Sequence, residues 1–129
     1  MRLLLDTQVF LWAVSDPDHL KKTARSAIED GANQVYVSVI TAWEIALKQS
    51  LGKLDLPNDA ELWMPPILAR TSFELAALGL KAALRVRGLP WHHRDPFDRF
   101  LIAQALEEGL TLVTRDPAFP LYAVALMDA

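Results

Sequence analysis

The stretch RLLLDTQVFLW, Arg2 to Trp12, sets a continuous apolar run against an aspartate and then changes its periodicity. Arg2 to Leu5 reads as a short strand buried on both faces, because its leucines are consecutive rather than alternating with polar residues. Asp6-Thr7 follows, and then a helix through Phe10-Leu11-Trp12 that ends near Ser15-Asp16-Pro17. This is one strand-to-helix step, with a carboxylate at the turn.

The rest of the chain repeats the step. A helix over Thr23 to Glu29 leads to Gly31, and Val35 to Val39, β-branched and aromatic, reads as a second strand. Thr41 to Leu51 is read as a helix stopped by Gly52. A further helical stretch spans Asp59 to Arg70, with a break or kink expected at Pro65-Pro66. Phe73 to Leu78 reads as a short strand and Leu80 to Val86 as a short helix. After HHRDPFDRF (92–100) comes a helix through Leu106, then Gly109, a strand over Leu110 to Val113, and a last strand near Tyr122 to Ala125. Alternation with short connections implies an α/β protein whose parallel sheet is covered by helices on both faces. Ligand sites in such sheets lie beyond the carboxyl ends of the strands.

At 129 residues, with 52% hydrophobic and 22% charged, the chain suits one domain, residues 1–129, with one core. No repeat or low-complexity linker divides it. The absence of cysteine excludes disulfides, zinc thiolate sites and thiol catalysis. Leu3-Leu4-Leu5 is too short for a signal-peptide core or a membrane span, so a soluble, cytoplasmic protein is expected. A formal charge of −3 argues against broad electrostatic capture of nucleic acid but leaves room for a local basic rim. Arg85, Arg87, Arg94, Arg99 and Arg115 are the candidates, Arg94, Arg99 and Arg115 being nearest the motifs below.

Asp6 follows the first strand and Asp116 the fourth, so a parallel sheet brings both to the same edge. Glu44 shares a helix face with Ile40, Leu47 and Leu51, and Asp98 shares one with Leu101, Ile102 and Ala105. A carboxylate on an apolar face needs a partner, a proton or a metal. Several converging carboxylates suit a hard divalent cation, Mg²⁺ or Mn²⁺, which can activate water against a phosphodiester. Hydrolysis of nucleic acid is the expectation.

Each acid also has an ordinary role. Asp6 suits an N-cap, Asp95-Pro96 a cap and first helical residue, Asp98 a first-turn charge, Thr41 to Glu44 a capping box, and Asp116-Pro117 a turn. Capping and catalysis predict the same sheet edge. The apolar-face placement of Glu44 and Asp98 separates them, since a cap needs no buried face, and Asp95 ranks last among the acids. Adjacent His92 and His93 point apart in an extended segment and are read as loop residues outside a shared metal. Trp12, Trp43, Trp63 and Trp91 are read as core or interface anchors, and Thr7 and Thr114 as residues that orient carboxylates or cap.

Taken together, LLLDT, SVITAWEIALK, HHRDPFDRFLIAQA and LTLVTRDPAF resemble the PIN-domain family, in particular the VapC-like toxins of bacterial toxin–antitoxin pairs. The resemblance runs from Arg2 to about Tyr122 and is weakest over Pro57 to Pro90. It implies a three-layer α/β/α sandwich around a central parallel sheet and an endoribonuclease dependent on Mg²⁺ or Mn²⁺. The family's four acids fall on Asp6, Glu44, Asp98 and Asp116. Asp6 and Asp98 are thereby implied as the most direct metal ligands, Glu44 and Asp116 complete the site, and Asp95, Thr7 and Thr114 support it. The resemblance further implies an RNA substrate, homodimerisation, and an antitoxin partner that covers the site with a basic side chain.

Two other functions fit parts of the pattern. Aspartate-based phosphohydrolases also place an acid after the first strand, but they use Asp-x-Asp and a later Lys, whereas here Asp6-Thr7-Gln8 stands and no Lys follows Lys81. A non-catalytic binding module would use the acids as helix caps only.

Overall fold

The computed structural model describes residues 1–129. Five strands, β1 (Arg2–Leu5), β2 (Gln34–Ser38), β3 (Glu74–Ala76), β4 (Thr111–Thr114) and β5 (Leu126–Asp128), form one sheet in the order β3-β2-β1-β4-β5. Every pairing is parallel, with Leu5 opposite Val37 on one side and Val113 on the other. Six helices connect or flank them: α1 (Thr7–Ser15), α2 (Lys22–Glu29), α3 (Val39–Ser50), α4 (Ala60–Thr71), α5 (Leu80–Arg85) and α6 (Pro96–Glu108).

The period-2 alternation of strand side chains divides the apolar residues between two cores. Leu3 and Leu5 of β1, Val35 and Val37 of β2 and Val113 of β4 pack with Phe10, Ala24, Ile28, Ile45, Met64 and Ile67. Leu4 and Leu112 project the other way, into Ile40, Leu101, Ile102, Ala105, Phe119 and Tyr122. Sheet and helices therefore form an α/β/α sandwich, and consecutive leucines in β1 are what two buried faces require. From β1 the chain builds outward to β2 and β3, then returns to the opposite side of β1 for β4. The crevice beyond the carboxyl ends of β1 and β4 is the topological switch point of the sheet.

Several boundaries depart from the sequence reading. Helix α3 begins at Val39, not Thr41, because Ser38 takes the cap position and its hydroxyl accepts the Ile40 N–H at 3.1 Å. Thr41 is consequently inside the helix and buried, so the expected capping box does not form. The final strand is Leu126–Asp128, since Tyr122 closes a 3₁₀ turn, Phe119–Leu121, and turns its ring into the second core. Helix α6 stops at Gly109, whose φ of 66° is the left-handed conformation that ends helices and favours glycine.

The expected break at Pro65-Pro66 is absent, and α4 continues through both prolines. They lie on its exposed side, whereas Met64 and Ile67 hold the helix to the first core. Solvent can therefore reach the carbonyls that lose a donor. Replacing Pro66 by Ala restores an N–H to that ladder without touching the core. The expected outcome is a stabilisation of about 1 to 3 kcal/mol in urea unfolding, part of the cost of an interior proline.

Candidate active site

Asp6 stands where β1 passes into α1, and its location follows from two demands met by one side chain. Its Oδ1 accepts the Val9 N–H at 2.7 Å and caps α1, while its Oδ2 accepts the Thr114 hydroxyl at 2.5 Å, tying β1 to β4 across the crevice. Asp116 lies two residues beyond β4. Its N–H donates to Thr114 Oγ1 at 3.1 Å and its Oδ1 accepts the Ala118 N–H at 2.8 Å, so the turn after β4 directs the carboxylate back over the sheet edge.

Glu44 reaches the same crevice from α3 and is 4% exposed. The stripe that buries it differs from the expected one, because Leu47 and Leu51 are 37% and 58% exposed. Its buried companions are Ile40, Thr41 and Ile45, so the helix is rotated relative to the sequence reading. Glu44 Oε1 accepts the Thr7 hydroxyl at 2.6 Å, and Oε2 pairs with Lys48 Nζ at 2.5 Å, one helical turn on. The ammonium of Lys48 is held charged chiefly by that hydrogen bond, with added attraction from Asp95 and Asp98.

Asp98 comes from the first turn of α6, whose stripe Leu101, Ile102 and Ala105 is buried as expected. Asp95 caps this helix, its Oδ1 accepting the N–H groups of Phe97 at 2.8 Å and Asp98 at 3.1 Å. Asp6, Thr7, Glu44, Asp95, Asp98 and Asp116 thus line one cavity of about 450 Å³, together with Lys48, Lys53 and Arg115.

Burial and mutual repulsion disfavour charge there. The Asp6 carboxyl is pushed up to about 6, first by burial and then by Asp116 and Glu44, against the hydrogen bonds from Thr114 and Val9. That of Asp98 is pushed up to about 7, first by burial and then by Asp95, with His93 acting in the opposite direction.

The sequence reading leaves His93 in the loop beside His92, whereas the structure brings it into the site. Its Nε2 lies 2.9 Å from Asp98 Oδ2 and 3.1 Å from Asp116 Oδ2. His92 turns away against the Tyr122 ring, so the two histidines do point apart, and only His93 reaches the acids. Lys48 and Lys53 were also missed as cationic lining. The spacing of four between Glu44 and Lys48 was a signal for the first; none marked His93.

Arg99 departs most from expectation, since it is no rim residue but a buried one, 2% exposed. Its guanidinium donates to the carbonyls of Pro90, His93, Val86 and Leu89 and to the Tyr122 hydroxyl, and stacks 3.8 Å from the Trp91 ring centroid. A planar fork of donors matches a loop of inward carbonyls, which explains how a charge is tolerated there. Trp91 and Trp43 are largely exposed, contrary to a core role, whereas Trp12 and Trp63 pack against the first core. Arg94 is exposed and does not line the cavity. Arg115 does, its guanidinium lying over Trp12 and bonded to the carbonyls of His19 and Ala129.

The donor set fits a hard divalent cation. Five carboxylates line one cavity, burial makes the charge of Asp6 and Asp98 costly, and Asp98 Oδ1 accepts no hydrogen bond. Asp98 and Asp116 place carboxylate oxygens within 4.8 Å of one another, with His93 Nε2 in contact with both.

A doubly covered parallel sheet with a carboxylate-lined crevice at its switch point defines the class, an α/β/α protein with an acidic site. The PIN domain family matches residues 3–125, and the chain belongs to that family. Ribonuclease VapC22 of Mycobacterium tuberculosis is 29% identical over 116 residues, covering 88% of this chain and 86% of that protein. The fold is shared with the DNA-bound VapBC of Salmonella typhimurium, at a TM-score of 0.71 and 18% identity over 99% of this chain and 98% of that one. FitAcB of Neisseria gonorrhoeae is similar at a TM-score of 0.63 and 22% identity, covering 97% and 96%. No helix is long and apolar enough to cross a membrane.

Two outcomes follow from this geometry. Arg99→Met leaves the inward carbonyls of His93 and Leu89 without a donor, and its unfolding free energy should fall by about 2 to 5 kcal/mol, whereas Arg94→Ala should stay within about 0.5 kcal/mol. Asp6 and Asp98 bind protons more tightly folded than unfolded. In a chelating buffer their contribution to stability is therefore full below about pH 4, the ordinary carboxylate range, and is lost as pH rises through about 6 and about 7. For Asp6 the loss is of the order of 3 kcal/mol. Urea unfolding of the wild type and of Asp6→Asn across this range checks it, the variant having the shallower decline.

Proposed function

We propose that this protein is a metal-dependent endoribonuclease and the toxin of a toxin–antitoxin pair. The convergence of Asp6, Glu44, Asp98 and Asp116 on one crevice with a cationic border carries the reading. The ribonuclease name of the Mycobacterium tuberculosis relative supports RNA as the substrate. The VapBC title of the similar Salmonella typhimurium structure supports an antitoxin partner.

Asp6, Asp98 and Asp116 would hold the cation, with Glu44 completing the set. A bound Mg²⁺ or Mn²⁺ supplies an acidified water and neutralises the charge developing on the phosphodiester. Thr114 and the Val9 N–H hold Asp6 in one orientation, and Thr7 does the same for Glu44. Lys48, Lys53 and Arg115 offer positive charge to the phosphates of a bound strand, and Lys48 also offsets the charge of Glu44. Asp95 supports the site by fixing the start of α6. An antitoxin that presents a basic side chain to the carboxylates would silence the enzyme by replacing the cation's charge. The protein would act as a homodimer, as a single domain over residues 1–129, in the cytoplasm.

The test is cleavage of total RNA by the purified protein with Mg²⁺ or Mn²⁺, with fragment ends sequenced. Asp98→Asn should lower the cleavage rate at least about 100-fold. It should keep or raise the melting temperature, because it removes a buried repulsion. An Asp98→Asn protein that cuts as fast as the wild type refutes the assignment, and the absence of acid-dependent cleavage in any RNA points to a binding module.

A further inference from the structure

His93 is held in the site by its backbone as much as by its ring. The His93 N–H donates to the Tyr122 hydroxyl at 2.9 Å, its carbonyl accepts from Arg99 at 3.3 Å, and its ring packs edge-on against Phe119. The ring therefore has one position, with Nε2 between Asp98 Oδ2 and Asp116 Oδ2 and Nδ1 facing the Asp95 N–H at 3.3 Å.

The tautomer is assigned from this hydrogen-bond pattern. A backbone N–H can only donate, so Nδ1 carries the lone pair, and the proton of the neutral imidazole resides on Nε2. Nε2 in turn faces two carboxylate oxygens, which in the ionised form only accept. The reverse tautomer sets an Nδ1–H against the Asp95 N–H and a lone pair against two anions, leaving every contact of the ring unfavourable. A metal-ligating histidine usually donates its second ring N–H to an acceptor, and this ring meets a donor there instead.

We propose that His93 is a positioning residue of the acidic site, its single Nε2–H bridging Asp98 and Asp116, and that it stays outside the coordination shell of the cation. The proposal rests on the reading of the crevice as a metal site and refines it. The bridge occupies one oxygen of each carboxylate, the Ala118 N–H occupies the second oxygen of Asp116, and Oδ1 of Asp98 is left without a protein partner. The shell that results is all oxygen, which suits Mg²⁺ or Mn²⁺ better than softer cations that favour imidazole. Without the bridge, two carboxylates whose oxygens both lie about 3 Å from one nitrogen would repel and separate.

Long-range proton–nitrogen correlation on the full chain with ¹⁵N-labelled histidine, near neutral pH, reads the tautomer directly. The expected spectrum has a protonated Nε2 and a pyridine-type Nδ1 for His93, unchanged when Mg²⁺ is added to saturation. An Nδ1–H tautomer of the neutral ring, or loss of the Nε2 proton on adding Mg²⁺, overturns the proposal. Calorimetry with Mg²⁺ adds a second reading. His93→Ala should weaken binding by about 10-fold or more, and His93→Gln, which keeps an N–H at similar reach, should recover most of it. Equal affinity in wild type and His93→Ala, or no recovery in His93→Gln, also overturns it. The tautomer is read before any metal is added, so failure of the wild type to bind Mg²⁺ counts against the metal-site reading alone.

Discussion

Like charges brought together at the edge of a dry sheet repel, and much of the structure around β1 and β4 is arranged to hold them there. Asp6 is restrained by the Val9 N–H and Thr114, Glu44 by Thr7 and Lys48, and Asp116 by the Ala118 N–H and His93. Asp98 has His93 alone and, with Asp95 at its back, the most perturbed carboxyl of the set. Some restraints are local, a helix cap, a turn, a pair one helical turn apart, and others reach across the fold, from Thr114 to Asp6, Thr7 to Glu44 and His93 to Asp116. Their sum fixes four carboxylates that would otherwise turn to solvent and separate.

The strand order makes this economical. Because β1 lies centrally, between β2 and β4, residues that leave β1 and β4 face each other across one gap. Helices following parallel strands begin at that same edge, so α1 needs its cap where the site needs its acid. Asp6 answers both needs with different oxygens. Asp95 shows the division of labour at α6, where it caps and leaves the next turn free to carry Asp98 over the cavity.

What could be read from the chain was what repeats along it. The leucines of β1, the β-branched β2 and the stripe below Asp98 are periodic, and periodicity is visible without knowing the partner surface. The rotation of α3 was not visible, because Ile40, Glu44, Leu47 and Leu51 form as good a stripe as Ile40, Thr41, Glu44 and Ile45 until the sheet selects one. Arg99 illustrates a different limit. A charged residue is assigned to the surface by default, and only the loop of carbonyls folded over it reverses that preference. His93 depends on Arg99 and Tyr122 in turn, residues 6 and 29 positions away, so nothing in its own neighbourhood announced it.

The chain of dependence from Arg99 to His93 to the two aspartates separates two kinds of residue in the motif HHRDPFDRF. In the proposed enzyme Asp98 belongs to chemistry, and its loss should leave the fold intact. Arg99, its immediate neighbour, belongs to scaffolding, yet it holds the segment from Val86 to His93 whose last side chain bridges the acids. Adjacent helical residues point about 100° apart, so a single turn of α6 sends one charge into the cavity and the next into the loop behind it. A helix entrance rich in charge is thus neither a solvated face nor one catalytic cluster. It is the point where two buried polar networks, one for the site and one for its support, are joined through a histidine that belongs to both.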